Sequence, residues 1–252
     1  MKMFFLRVAR VLRRTGEAVL QRARIPLEFV FLRNTQKPRF LFRWRDRWLC
    51  FGDATAGTGF DRHYVFHTAW ASRVLADSRP FEHVDISSSL YFVSSVSAFI
   101  PVRFYDYRPA QLGLSNLSCN QADLTRLHFS DASIASLSCM HVVEHIGLGR
   151  YGDPLDYDGD LKAVAELERV LAVDGQLLFV VPVGGEARIQ FNAHRIYTYQ
   201  QVLRMFPGFD LVEFALIPDD GSPLGLVRHA GESLANEQRY GCGCFWFRKR
   251  KK

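Results

Sequence analysis

Residues 134–184 read IASLSCMHVVEHIGLGRYGDPLDYDGDLKAVAELERVLAVDGQLLFVVPVG. Ile134 to Met140 has the short, apolar look of a buried strand. A polar turn, His141 to His145, follows it, and then a glycine-bearing loop, Gly147 to Gly152. From Tyr157 to Leu171 the apolar residues Leu161, Val164, Leu167, Val170 and Leu171 recur at helical spacing. Asp174-Gly175 makes a turn, and Gln176 to Val181 is a second apolar strand. Two buried strands joined through a helix predict a parallel pair in a sheet covered on both faces.

The same alternation extends outward in both directions. A helix is expected from about Tyr64 to Ala76, with Val65, Ala69 and Leu75 among its apolar positions. Phe81 to Ile86 reads as a strand, Leu90 to Phe99 as a helix, Pro101 to Tyr105 as a strand, and Leu117 to Gln121 as another. Beyond the quoted stretch, Tyr199 to Met205 predicts a short helix; Leu211 to Ile217 and Gly243 to Phe247 predict the last two strands. Arg39 to Cys50 alternates loosely and suggests a hairpin or edge strand. The expected architecture is an α/β, Rossmann-like αβα sandwich with a seven-stranded, mostly parallel sheet and a reversed last strand. One such domain is expected over residues 61–252, preceded by a basic extension over 1–60.

Charge is unevenly spread. The net charge is +6, yet residues 1–49 carry +10 and the last five, Arg248 to Lys252, add +5, which leaves the body at −9. An acidic body with basic ends argues against a nucleic-acid partner and suits an anionic surface at the ends. In the first twenty residues Phe4, Phe5, Val8, Val11 and Leu12 interleave with Arg7, Arg10, Arg13 and Arg14. This pattern fits a basic amphipathic helix, docked on the domain, lying on a membrane surface, or serving as a targeting segment. No run of about 18 apolar residues suggests a membrane span. A cytoplasmic protein, peripheral on a membrane at most, is the expectation, with the oligomeric state open. Five cysteines include Cys242 and Cys244, two apart without a second pair, and His63 and His67 flank Tyr-Val-Phe without the glutamate of a metallohydrolase. No metal is expected.

In an open α/β sheet, ligands bind beyond the carboxyl ends of the strands. That rule gathers Asp85, Asp106, Asp123 and His141 to His145 at one rim. Each acid has a plainer alternative: a helix cap for Asp85, a solvated loop acid for Asp106, and a cap of the Leu124-Thr125 turn for Asp123. His145 is the first candidate general base, since imidazole titrates near neutrality. Glu144 and His194 are the next candidates. Arg150, Tyr151 and Arg195 are candidate substrate contacts, Arg195 also fitting a clasp with Asp153 or Asp156. The acids from Asp153 to Asp160 read as a solvated loop and cap.

Four segments, HVDISSSLYFV (83–93), QADLTRLHFSDASIASLSCMHVVEHIGLGRYGDP (121–154), DLKAVAELERVLAVDGQLLFVVPVG (160–184) and FNAHRIY (191–197), resemble the class I S-adenosylmethionine-dependent methyltransferases. The resemblance is closest to the DUF268 family of unknown function and spans Phe81 to Phe247. It implies S-adenosylmethionine as cofactor and methyl transfer to a small polar or glycan-like acceptor. It also implies that Asp85 and Ser87 face the methionine part, Asp106 the ribose, and Asp123 with Leu124 the adenine, with His141 opening the segment after the fourth strand. One departure stands out: the usual Asp-x-Gly-x-Gly is here Asp85-Ile86-Ser87-Ser88-Ser89. The departure leaves two other readings open, a non-catalytic binding protein or a transferase for another nucleotide ligand.

Overall fold

Residues 22–34, 39–51, 53–219 and 225–251 are described by a computed structural model of the chain. Contacts divide it into two units, one ending at Gly59 and the other running from Phe60 to Lys252. In the first, residues 22–34 are helical (α1). Arg39 to Cys50 forms no strand. Arg43 Nε donates to Asp46 at 2.6 Å and Arg47 donates to the Trp44 carbonyl, which closes a 3-10 turn at Trp44–Asp46. Phe29 stacks on Phe42 at 4.5 Å in the same unit. The expected amphipathic helix of residues 1–20 lies outside the described residues.

The second unit is the predicted sheet. Its strands are β1 (His83–Ile86), β2 (Val102–Asp106), β3 (Leu117–Gln121), β4 (Ile134–Met140), β5 (Leu171–Val183), β8 (Phe209–Ile217) and β9 (Gly241–Lys249). They run in the order β3-β2-β1-β4-β5-β9-β8, and β9 alone is antiparallel to its neighbours. Between β5 and β8 the chain adds a small hairpin, β6 (Arg188–Gln190) and β7 (His194–Ile196). β5 starts earlier than expected because the Asp174-Gly175 turn is absorbed as a bulge, its register slipping between Ile134 and Ser136.

Helices cover both faces. α2 (Arg62–Ser78) is capped by Asp61, whose side chain accepts from Tyr64 N, and buries His67, Trp70, Ala71, Val74 and Leu75. That face excludes Val65, which is exposed. α2 and α3 (Leu90–Val96) enclose a core with Val102, Phe104, Leu178 and Val180. On the opposite face α4 (Gly159–Val170), α5 (Tyr199–Met205) and α6 (Glu232–Asn236) pack over Leu137, Leu177, Phe179 and Phe245. Leu161, expected on the buried stripe of α4, points to solvent, while Asp160 is buried in its place. The loop from β3 to β4 carries no helix. Arg169 of α4 pins it by donating to the carbonyls of Leu127 and Phe129, and Glu166 accepts from Leu127 N.

Candidate functional site

β1 brings Asp85 to the end of the sheet, but inside it. The carboxylate is fully buried. Its Oδ1 accepts from Ser88 N at 3.0 Å and its Oδ2 from Ser138 Oγ. Behind it runs a chain of polar groups with one consistent direction. Gln176 Nε2 donates to Ser136 Oγ, the Ser136 hydroxyl to His83 Nδ1, His83 Nε2–H to Ser138 Oγ, and Ser138 to Asp85. Burial pushes His83 down to about 3, so its ring is neutral and the tautomer is set by these bonds. Asp85 therefore does not line the cavity at the strand ends; it anchors the turn that follows.

Burial also pushes the Asp85 carboxyl up to about 6, against the hydrogen bonds from Ser138 and Ser88. The folded protein thus holds this proton more tightly than the unfolded chain between about pH 4 and 6. Stability from this group is full below pH 4 and is lost as pH rises through 6. Between pH 4.5 and 7 the loss should be about 2 kcal/mol. Urea unfolding of the wild type and of Asp85→Asn at both pH values isolates it: the variant should lack this component, and equal slopes would refute the assignment.

The next residue but one, Ser87, sits at φ +56, a conformation that favours glycine. Its N–H donates to Tyr105 O at 2.7 Å and its hydroxyl to the same carbonyl at 3.3 Å. Ser88 Oγ accepts from Met140 N. The serine turn keeps the left-handed backbone of a glycine turn and stitches β1 to β2 and β4.

The ends of β1, β2, β3 and β4 open on one cavity of about 390 Å³. Ser87, Asp106, Asp123, Leu124, His141, His145 and Tyr151 all line it. Tyr64, Tyr107 and Arg108 line it as well, which sequence spacing did not indicate. Asp106 Oδ1 accepts from Arg108 N at 2.7 Å. Asp123 Oδ1 accepts from Thr125 N and Oγ1, so Asp123 caps its own turn while bordering the cavity. A small-molecule site commonly spans about 300–1,000 Å³, so the space suits a nucleoside-sized ligand.

After β4, His141 adopts φ +58 and turns the chain back, with Val143–His145 forming a 3-10 turn. Glu144 is buried; its Oε1 lies 2.8 Å from His141 Nδ1 and 3.8 Å from His145 Nε2. Its Oε2 has no hydrogen-bond partner among the described residues. Glu144 thus faces the imidazoles rather than the cavity, which corrects its reading as a base. His145 Nδ1 donates to Ala193 O at 2.6 Å, leaving Nε2 to accept a proton.

Gly147 has φ +80, and a Cβ there would collide with the Asp156 carbonyl. Asp153 accepts from the N–H groups of Gly147, Gly149 and Tyr151 and so shapes this loop from within. Arg195, expected to meet a substrate, is buried instead. It donates to Ile146 O at 2.7 Å and Tyr157 O at 2.8 Å and lies 3.5 Å from Asp160, itself bonded by Tyr197 OH. It is a clasp, with Asp160 rather than Asp153 or Asp156 as its acid. Asp160 is accordingly no solvated loop acid. Arg150 is exposed, donates to Ala193 O, and lies over the Tyr151 ring. His194 stands off the cavity wall, stacked on Tyr240 at 5.0 Å with Nε2 bonded to Gln190. Burial pushes Tyr64 and Tyr240 up to about 12, so both remain phenols. Burial, then His141, pushes His63 down to about 4.

This mostly parallel sheet with one antiparallel strand recurs in known proteins. The chain is similar to the 1,6-didemethyltoxoflavin-N1-methyltransferase of Burkholderia thailandensis, solved with 1,6-didemethyltoxoflavin and S-adenosylhomocysteine. The TM-score is 0.52 at 12% identity, over 74% of this chain and 79% of that one. The fold is that of the class I methyltransferases. It is also similar to the protein complexed with the Trm112 methyltransferase activator of Haloferax volcanii (TM-score 0.51, 17% identity, 76% and 91% coverage). A Thermotoga maritima S-adenosylmethionine-dependent methyltransferase superposes with TM-score 0.50 at 13% identity, over 74% and 91%. Residues 117–229 match the family described as "Caenorhabditis protein of unknown function, DUF268". No curated protein matches the chain in sequence. Within this methyltransferase fold, the matched family segment runs from β3 through the loop after β8 and so carries Asp123, Leu124, the His141–His145 turn and the Gly147 loop.

Proposed function

We propose that this chain binds S-adenosylmethionine and directs methyl transfer to a small polar or sugar-like acceptor. One observation carries the reading: Ser87, Asp106, Asp123 with Leu124, and His141 with His145, from four separate strand ends, border a single cavity. Asp106 would accept from the ribose hydroxyls, Leu124 would pack on the adenine, and the Ser87 turn would face the methionine portion. The cofactor supplies an electrophilic methyl group. The chain's part is to orient the acceptor toward it and to exclude water. His145, its Nδ1 held by Ala193 O, would accept the proton at Nε2. Tyr151, on the loop shaped by Asp153, would border the acceptor. Glu144 acts on His141 and His145 as a positioning residue. No described helix is long and apolar enough to cross a membrane. The charge of +10 over residues 1–49 supports contact with an anionic membrane surface. Deleting residues 1–20 should then reduce sedimentation with anionic liposomes, and unchanged sedimentation would count against that contact.

A second reading, a non-catalytic binder built on this fold, draws on the same turn, because the Ser87 side chain occupies a wall that glycine would leave open. Calorimetry of the full chain with S-adenosylmethionine separates the two. Saturable one-site binding is expected; its absence would favour the second reading. Ser87→Gly should preserve or tighten binding, since relief of a left-handed serine, worth about 1–2 kcal/mol, offsets the lost bond to Tyr105 O.

A further inference from the structure

His63, His141 and Cys242 are far apart in sequence and come from three different elements. His63 lies in the first turn of α2, His141 just past β4, and Cys242 at the second position of β9. Their ligating atoms all lie within 4.8 Å of one another. His141 Nε2 is 3.3 Å from Cys242 Sγ. Two such ligands on one tetrahedral zinc ion, at about 2.0–2.1 and 2.3 Å, stand about 3.5 Å apart. The His63 and His141 rings lie nearly parallel, 12° apart, with centroids 5.5 Å apart.

The surroundings are those of a metal ligand set. His141 Nδ1 is tied to Glu144 at 2.8 Å, the carboxylate–histidine arrangement that frees Nε2 for an ion and fixes the ring. Glu144 is 1% exposed, and the basic side chains within 4 Å of its carboxylate among the described residues are the His141 and His145 imidazoles, with no lysine or arginine. A buried carboxylate with one oxygen unpartnered is costly unless a cation stands near it. Tyr64 and Tyr240 close the flanks, 5.5 Å from His141 and 5.0 Å from His63.

We infer that His63, His141 and Cys242 bind one zinc-class divalent cation, with Glu144 as the carboxylate behind His141. Imidazole and thiolate donors select this class over magnesium or calcium. Three protein ligands leave a fourth position. His141 and Tyr64 also line the cavity, so the ion borders it and that position is available to a small-molecule oxygen or sulfur donor. The inference stands apart from methyl transfer, since the ligand set does not depend on the cofactor.

The test is a cobalt(II) titration of the full-length chain carrying Cys50→Ser, which removes the exposed thiol. Expected are one equivalent bound, a thiolate-to-cobalt charge-transfer band, tetrahedral ligand-field bands, and displacement of all of these by zinc. His63 is only half-buried, so His63→Ala should fold; it should weaken cobalt on the order of 100-fold. Cys242→Ser should abolish the charge-transfer band, with folding checked by circular dichroism. Absence of that band in the Cys50→Ser protein, or equal affinity with and without His63, would overturn the site whatever the outcome with S-adenosylmethionine.

Discussion

Asp106→Ala should weaken S-adenosylmethionine binding by at least 100-fold while leaving the thermal midpoint nearly unchanged. The residue ends β2, and its carboxylate borders the cavity. Its own structural bond is a single one, from Arg108 N, while the strand is held by backbone pairing that the substitution does not touch. Two ribose hydroxyls donating to a carboxylate each contribute about 1.5–3 kcal/mol. Losing both costs about 3 kcal/mol or more, which is over two decades in Kd. Asp106→Asn keeps one acceptor oxygen and should lose about tenfold. Calorimetry on the three proteins reads this directly, and equal affinities would remove Asp106 from the site and with it the ribose register of the proposed ligand.

Replacing Arg195 should produce the largest stability loss. Arg195→Met keeps most of the volume, yet it strands the carbonyls of Ile146 and Tyr157 and leaves buried Asp160 without its guanidinium. Breaking one side of a buried ion pair costs about 3–5 kcal/mol. At about 2–4 °C per kcal/mol for a domain of this size, the midpoint should fall by about 10 °C. Arg195→Lys keeps the charge but not the planar fork and should fall between. Because the clasp joins β7 to both ends of the loop from Ile146 to Tyr157, cofactor affinity should drop too. A midpoint within 2 °C of wild type, about 1 kcal/mol or less, would show the clasp to be dispensable.

Most of the strands were legible because their apolar runs are short and bounded by turn residues; β3 and β4 coincide with the stretches read from sequence. The β6–β7 hairpin was not, since three-residue strands with exposed positions carry no periodic signal. At the cavity, the strand-end rule gathered Asp106, Asp123 and His145 at one rim, and all three border it. It could not say how Asp85 and Glu144 are turned, or choose between contact and clasp for Arg195, because a charged residue in a strand or loop reads the same whether it faces a ligand or is buried in a bond network. The meeting of His63 with Cys242 is a property of the assembled sheet and helix α2, with no local trace in either segment.

The chain of donors from Gln176 to Asp85 has a further consequence. Every link points the same way, so replacing a single member strands a hydroxyl or a ring nitrogen inside the sheet rather than simply deleting one bond. Natural variants should therefore change these five positions as a block, polar set for apolar set. Where β5 has lost its glutamine, the imidazole on β1 and the acid beside the serine turn should be missing together.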